Sequence, residues 1–371
     1  MKINLPAATL IVLMIMSSCS NDTTGLKDAF NGYFLIGTAM NRAQITGADS
    51  LAKPFIAKHF NSVTAENAMK WERIHPEPDR YEFALADSMV AFALENNMAV
   101  IGHVLVWHSQ TPAWVFLDSL GNTLSREALL ERMREHISTV VGHYRGKVTG
   151  WDVVNEAVEE DGSLRQTKWL QIIGNDYIEK AFQYAHEADP DAELYYNDYN
   201  NENRAKRAGV IPIIKDLQEK GIRIDGVGIQ GHWHLDSPDL DIVDESIGEY
   251  AALGVKVMIT EMEINVLPTP VWLYGAEISR TAAYRDSLNP YVEGLPDSVE
   301  TQLTDRYAAV FRVLLKNSDA VSRVTFWGVN DAYSWKNNWP MPGRTNYPLL
   351  FDRNYQPKPA YYAVINEAKK K

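Results

Sequence analysis

Apolar positions along this chain follow two alternating patterns. Short continuous runs rich in β-branched residues mark strands at Tyr33–Thr38, Asn61–Ala65, Ala99–Trp107, Val148–Asn155, Glu193–Asp198, Gly226–Gln230, Lys256–Glu261 and Arg323–Val329. They lack strict polar alternation, as expected when both faces of a parallel sheet are buried. Between them lie segments with helical spacing, among them Ser125–Tyr144, Trp169–Glu187, Arg204–Lys220 and Val299–Asn317. Ser125 is placed to cap one helix, and Gly221 follows another that ends in Lys220. Eight strand–helix units in this order predict an α/β fold, a (β/α)8 TIM barrel. Such barrels take ~250 residues upward, and the chain has 371. No linker or repeat interrupts residues 30–371, so they read as one domain. One connection is long, from Glu263 to Pro296 after the seventh strand. It reads as an insertion on the face where the strands end.

The N-terminus has a different pattern. Lys2 precedes an almost wholly apolar run from Leu5 to Met16, too short to span a bilayer as a helix, which takes ~20 residues. Residues 1–18 therefore read as a signal peptide. Ser17 and Ser18 directly precede Cys19, as in a bacterial lipobox, although Met16 stands where such motifs usually carry Leu. Cleavage there would free Cys19 for lipidation, with residues 19–29 as a polar tether. The expectation is an exported bacterial lipoprotein of the outer membrane or cell surface, with periplasmic or freely secreted protein as alternatives. Cys19 is the one cysteine, so the domain is expected to hold no disulfide, thiol nucleophile or cysteine-bound metal. A net charge of −12 argues against a nucleic-acid partner. A neutral polysaccharide meets no such repulsion, and ten Trp and eighteen Tyr leave some aromatics to stack on sugar rings.

Catalytic groups in such barrels sit at the C-terminal ends of strands. Here those ends carry Glu66, Asn67 and Lys70; His103, Trp107, His108 and Gln110; Asp152, Asn155 and Glu156; Asn197 and Asp198; Gln230 and His232; Glu261; and Trp327 with Trp335 beyond. So many polar groups interleaved with tryptophans line a cleft rather than cap helices. Glycoside hydrolysis needs two carboxyl groups flanking the scissile bond. Glu156 and Glu261 fit best, because each ends an apolar strand and the fourth and seventh strands face each other across a barrel of eight.

At these residues the chain resembles glycoside hydrolase family 10, the barrel xylanases, from about Phe34 to about Ile365. The resemblance rests on Thr64-Ala65-Glu66-Asn67-Ala68-Met69-Lys70-Trp71, Gly102-His103-Val104-Leu105-Val106-Trp107-His108-Ser109-Gln110, Trp151-Asp152-Val153-Val154-Asn155-Glu156, Tyr196-Asn197-Asp198-Tyr199, Gly228-Ile229-Gln230-Gly231-His232, Ile259-Thr260-Glu261 and Trp327-Gly328-Val329, in order along the chain. It implies endo-acting, retaining hydrolysis of β-1,4-xylosidic bonds in xylan without a cofactor or metal, by a monomer. Glu156 would be the acid/base and Glu261 the nucleophile, with Asn155 on the sugar 2-hydroxyl and His232 bonded to Glu261. Glu66, Asn67 and Lys70 would hold sugars on the non-reducing side, and Gln110 and Trp335 would lie near the second sugar. His103, Trp107, Gln230 and Trp327 would wall the reacting sugar, the two tryptophans by stacking or by rim packing. Asn197 and Tyr199 would lie toward the leaving group, and His108 would support the wall. The family usually has Asp two residues after the nucleophile to complete the histidine relay. Glu263 stands there, either in the same role or turned into the cleft.

Two rivals remain at this level. His232 and His234 flank Trp233 as metal ligands of a barrel amidohydrolase would, although those ligands belong on the first strand, which here has no His. A sugar-binding barrel without catalysis is the other. A Schiff-base aldolase built on Lys70 lacks any phosphate site nearby.

Overall fold

The computed structural model describes residues 25–270, 275 and 278–371. The expected signal peptide and Cys19 lie outside the described residues, as do positions 271–274, 276 and 277 of the long connection. The strands are β1 (Leu35–Met40), β2 (Ser62–Ala65), β3 (Ala99–Val106), β4 (Gly150–Asn155), β5 (Glu193–Asp198), β6 (Gly226–Ile229), β7 (His232–His234), β8 (Lys256–Asn265) and β9 (Val321–Phe326). Every pairing is parallel. Neighbours run in order from β1 to β6, β6 pairs with β8, β8 with β9, and β9 returns to β1 with Leu35 opposite Arg323. The result is a closed eight-stranded barrel ringed by helices, as the pattern predicts.

β7 is the strand the sequence pattern does not reveal. Gly231 takes φ 81°, a left-handed conformation that suits glycine, and breaks the sixth strand after Gln230. The chain then pairs again, with His232 opposite Glu263 and His234 opposite Asn265. This extra ladder carries β8 four residues past its expected end at Glu261. A second correction concerns Trp169–Glu187. It forms two helices, Lys168–Ile173 and Tyr177–Ala188, separated at Gly174 with φ 101°.

The 19–29 tether is also corrected at its end. Leu26–Ala29 is helical, with Leu26 and the following Phe30 fully buried. The Leu26 amide donates to His59 Nδ1 at 3.3 Å, and the Phe30 ring lies 5.3 Å from Phe34 and 5.0 Å from Phe311. Folded structure therefore begins by Gly25, because two apolar side chains bury where a tether would be solvated. Elsewhere the capping logic holds. Ser125 Oγ accepts from the Ala128 amide at 3.3 Å and starts Arg126–His143, which buries Leu129, Met133, Ile137 and Val140. Among the described residues no helix is long and apolar enough to cross a membrane.

Three register shifts fall toward the C-terminal ends of the strands: in the β3–β4 pairing between His103 and Val106, in β4–β5 between Asp152 and Val154, and in β8–β9 between Ile259 and Met262. Such irregularities bend a strand and re-aim its side chains. The last two lie beside Glu156 and around Glu261.

Candidate active site

The strand ends open into a cleft of about 1130 Å³, above the ~300–1,000 Å³ of ordinary small-ligand pockets. Glu156 and Glu261 both line it. Glu156 directly follows β4 with φ 58°, a conformation that costs a non-glycine residue about 1–3 kcal/mol and recurs at functional sites. Its amide donates to Asn197 O at 2.9 Å, and its carbonyl accepts from Arg165 Nε at 2.8 Å, so both sides of the residue are fixed. The carboxyl accepts from Trp107 Nε1 at 2.8 Å and Gln230 Nε2 at 2.9 Å. Gln230 Nε2 also reaches Asn155 Oδ1 at 3.2 Å.

Glu261 is held differently. Asn197 Nδ2 donates to Oε1 at 3.0 Å, and His232 Nε2 meets Oε2 at 3.1 Å. The other nitrogen of His232 meets Glu263 Oε1 at 2.9 Å. Only the protonated ring can donate from both nitrogens. Burial works against that charge, but the hydrogen bonds and charges of Glu261 and Glu263 outweigh it and push the imidazole up to about 9. Burial likewise opposes ionisation of Glu261. The His232 hydrogen bond, with the charges of His103, His232 and Lys70, overcomes it and holds the carboxyl below the usual range.

Lys70 is buried, with Nζ 2.9 Å from Gln110 Oε1, 3.1 Å from Asn67 Oδ1 and 5.0 Å above the Trp107 ring. Burial pulls its pKa down, while Glu261, Glu66, Glu156 and Glu72 oppose this. Burial raises the Glu66 carboxyl against the pull of Lys70. The wall beyond is aromatic. Trp327 stands edge-on to His103 at 5.3 Å, and Trp335 stacks on Trp339 at 5.2 Å.

Residues 25–367 match the model of glycosyl hydrolase family 10. The chain belongs to that family. It is 48% identical over 356 residues to endo-1,4-beta-xylanase A of Xylanibacter ruminicola, covering 96% of each chain. Against an endo-1,4-beta-xylanase of Geobacillus stearothermophilus the identity is 43% over 343 residues, 92% of this chain and 98% of that one. A solved family 10 endoxylanase from a sugarcane soil metagenome matches with a TM-score of 0.89 and 45% identity, over 92% of this chain and 99% of that one. A solved mutant structure in complex with xylotriose matches at 0.82 and 39%, with the same coverage.

In this family 10 enzyme the cleft gathers Glu66, Asn67, Lys70, His103, Trp107, Gln110, Asn155, Glu156, Tyr199, Gln230, His232, Glu261, Trp327 and Trp335. Asn197 is the exception among the expected contacts. It is fully buried, its amide nitrogen is shared by Asn155 and Glu261, and its oxygen accepts from Thr260 Oγ1 at 2.6 Å. It braces Glu261 instead of facing a leaving group. Glu263 takes the histidine-relay position and is not turned into the cleft; it is fully buried. The amidohydrolase reading gives way to the family match; both nitrogens of His232 meet carboxylates, and His234 Nδ1 lies 3.4 Å from Asn265 Nδ2. Sequence reasoning missed Arg42, Glu160, Glu202, Trp233 and Trp339 on the cleft wall. Trp339, four residues after Trp335 in a Pro-flanked loop, was the one with a readable signal.

Proposed function

We infer that this family 10 enzyme hydrolyses internal β-1,4-xylosidic bonds of xylan by a retaining double displacement. The observation that carries the reading is the asymmetry of the two cleft carboxyls. Glu261 is kept ionised by a protonated His232, as a nucleophile requires. Glu156 is oriented by Trp107 and Gln230. Glu261 attacks the anomeric carbon while Glu156 gives its proton to the departing oxygen. The resulting glycosyl ester leaves Glu156 ionised. Glu156 then takes a proton from water, which attacks the same carbon and releases both the sugar and Glu261. Asn155, anchored by Asn197 and Gln230, is placed to bond the sugar 2-hydroxyl. Internal cleavage is supported by the endo-acting relatives, and xylo-oligosaccharide as ligand by the relative bound to xylotriose.

Two measurements test this. Glu261→Ala should abolish xylan hydrolysis while retaining xylan binding; a variant that still cleaves is incompatible with the assignment. Proton NMR of the first product should show the β-anomer, and the α-anomer would sink the retaining mechanism.

Export and lipidation at Cys19 are proposed on the sequence pattern alone, with the enzyme at the outer membrane or cell surface and acting as a monomer. Labelling with a palmitate analogue should mark the wild type and not Cys19→Ser. An unlabelled wild type would leave simple secretion as the reading.

A further inference from the structure

We propose that Glu263, beyond its place in the histidine relay, is a positioning residue for Trp335: it anchors that ring on the cleft wall through the carboxylate oxygen that also meets His232. The proposal rests on the reading of Glu261 as nucleophile.

Glu263 lies behind the cleft, fully buried. His232 Nδ1 reaches its Oε1 at 2.9 Å, Trp335 Nε1 donates to the same atom at 2.7 Å, and Lys336 Nζ stands 3.6 Å from it. Oε2 is buried with no hydrogen-bond partner. A carboxylate can spread its donors over two oxygens, so their convergence on one atom ties both donors to a single point. His232, Trp335 and Lys336 all face the cleft. Trp335 also stands edge-on to His232 at 5.4 Å, stacks on Trp339, and lies 4.2 Å below the Lys336 ammonium. Whatever shifts this aromatic wall therefore pulls on the atom that holds the nucleophile's partner.

The two attachments differ in origin. Residue 263 is opposite His232 in the β7–β8 ladder, so backbone pairing already holds them together. Trp335 comes from a separate turn, Trp335–Asn337, beyond β9. The Glu263 carboxylate bridges the two, accepting from Trp335 Nε1 at 2.7 Å. Shortening the Glu263 side chain by one methylene should release the tryptophan, while the β7–β8 ladder still keeps a carboxylate opposite His232. Removing its charge while keeping its length should leave an acceptor for the tryptophan and weaken the bond to the protonated His232.

Steady-state kinetics on soluble xylo-oligosaccharides separate these tasks. Glu263→Asp and Trp335→Phe should each raise KM on the order of tenfold, the loss of one hydrogen bond to a charged group. The double variant should be no worse than the poorer single, because both remove the same contact. Glu263→Gln should lower kcat more than it raises KM. Multiplying effects of Glu263→Asp and Trp335→Phe, an unchanged KM in Glu263→Asp, or a Gln variant impaired only in KM would each overturn the coupling. If Glu263→Asp does not fold, the contrast between Trp335→Phe and Glu263→Gln still decides. Activity surviving in Glu261→Ala would remove the nucleophile assignment itself, and this proposal with it.

Discussion

At the scale of single residues, the site works by assigning opposite environments to like groups. Glu261 and Glu156 are both carboxyls at strand ends. One faces a cationic histidine, the other neutral N–H donors of Trp107 and Gln230. Asn197 is the residue that connects them, since its carbonyl accepts the Glu156 amide and its side chain holds Glu261. Asn197→Ala should therefore lower kcat by about 10- to 100-fold, the worth of one hydrogen bond to a charged group. KM should change little, because Asn197 does not line the cleft; an effect confined to KM would restore it as a substrate contact. His232 carries a pH signature. Its folded-state value is raised from 6.5 to about 9, so its contribution to stability is fully present below 6.5 and is lost as pH rises through about 9. Unfolding midpoints measured from pH 6 to 10 should fall over the upper part of this range, and His232→Ala should remove that slope.

At the scale of elements, the barrel strands were legible because both of their faces are buried and apolar runs follow. The active-site irregularities were not. β7 exists because Gly231 turns the chain so that His232 can pair with Glu263, a partner 31 positions away. The N-terminal helix Leu26–Ala29 was hidden for a related reason. It is too short for periodicity to register, and only its contact with the barrel's helical ring shows that it is core. Leu26→Ala should cost about 2–5 kcal/mol of unfolding free energy, measured by denaturant titration; a cost near zero would return residues 25–29 to the tether. Within β3, a Cβ on Gly102 would lie against Cε3 of the Trp151 ring, far inside contact distance. Gly102→Ala should thus be destabilising by about 1–3 kcal/mol through overpacking, with a matching loss in thermal midpoint.

At the scale of the whole molecule, several histidines share one response to acid. Burial is the largest cause in each case. It lowers His59, His75 and His234 from 6.5 to about 4 and holds His136 well below 6.5, where it packs against His75 and stacks on Trp71 at 3.5 Å. In the unfolded chain these rings take up protons near 6.5, and in the folded enzyme they do so only well below that, near 4 for His59, His75 and His234. Stability should be unaffected by them above 6.5 and should fall progressively as pH drops from about 6.5 toward 4. Thermal midpoints that stay flat across that window would contradict the burial of these rings.

The amino-acid sequence alone determined the layered plan and pointed to the positions proposed to carry the chemistry. Burial on both faces leaves a continuous apolar imprint on each strand, and in a parallel barrel the polar residues that follow each imprint must gather at one end. Glu156 and Glu261 could be named for that reason. What each neighbour does was decided by tertiary structure. Whether Asn197 meets a sugar or a carboxylate depends on strand register, and whether Glu263 turns into the cleft or away from it depends on which donors reach it. Those donors come from His232 and Trp335, 31 and 72 positions distant in the chain. Local sequence does not encode contacts of that span; closing the barrel creates them.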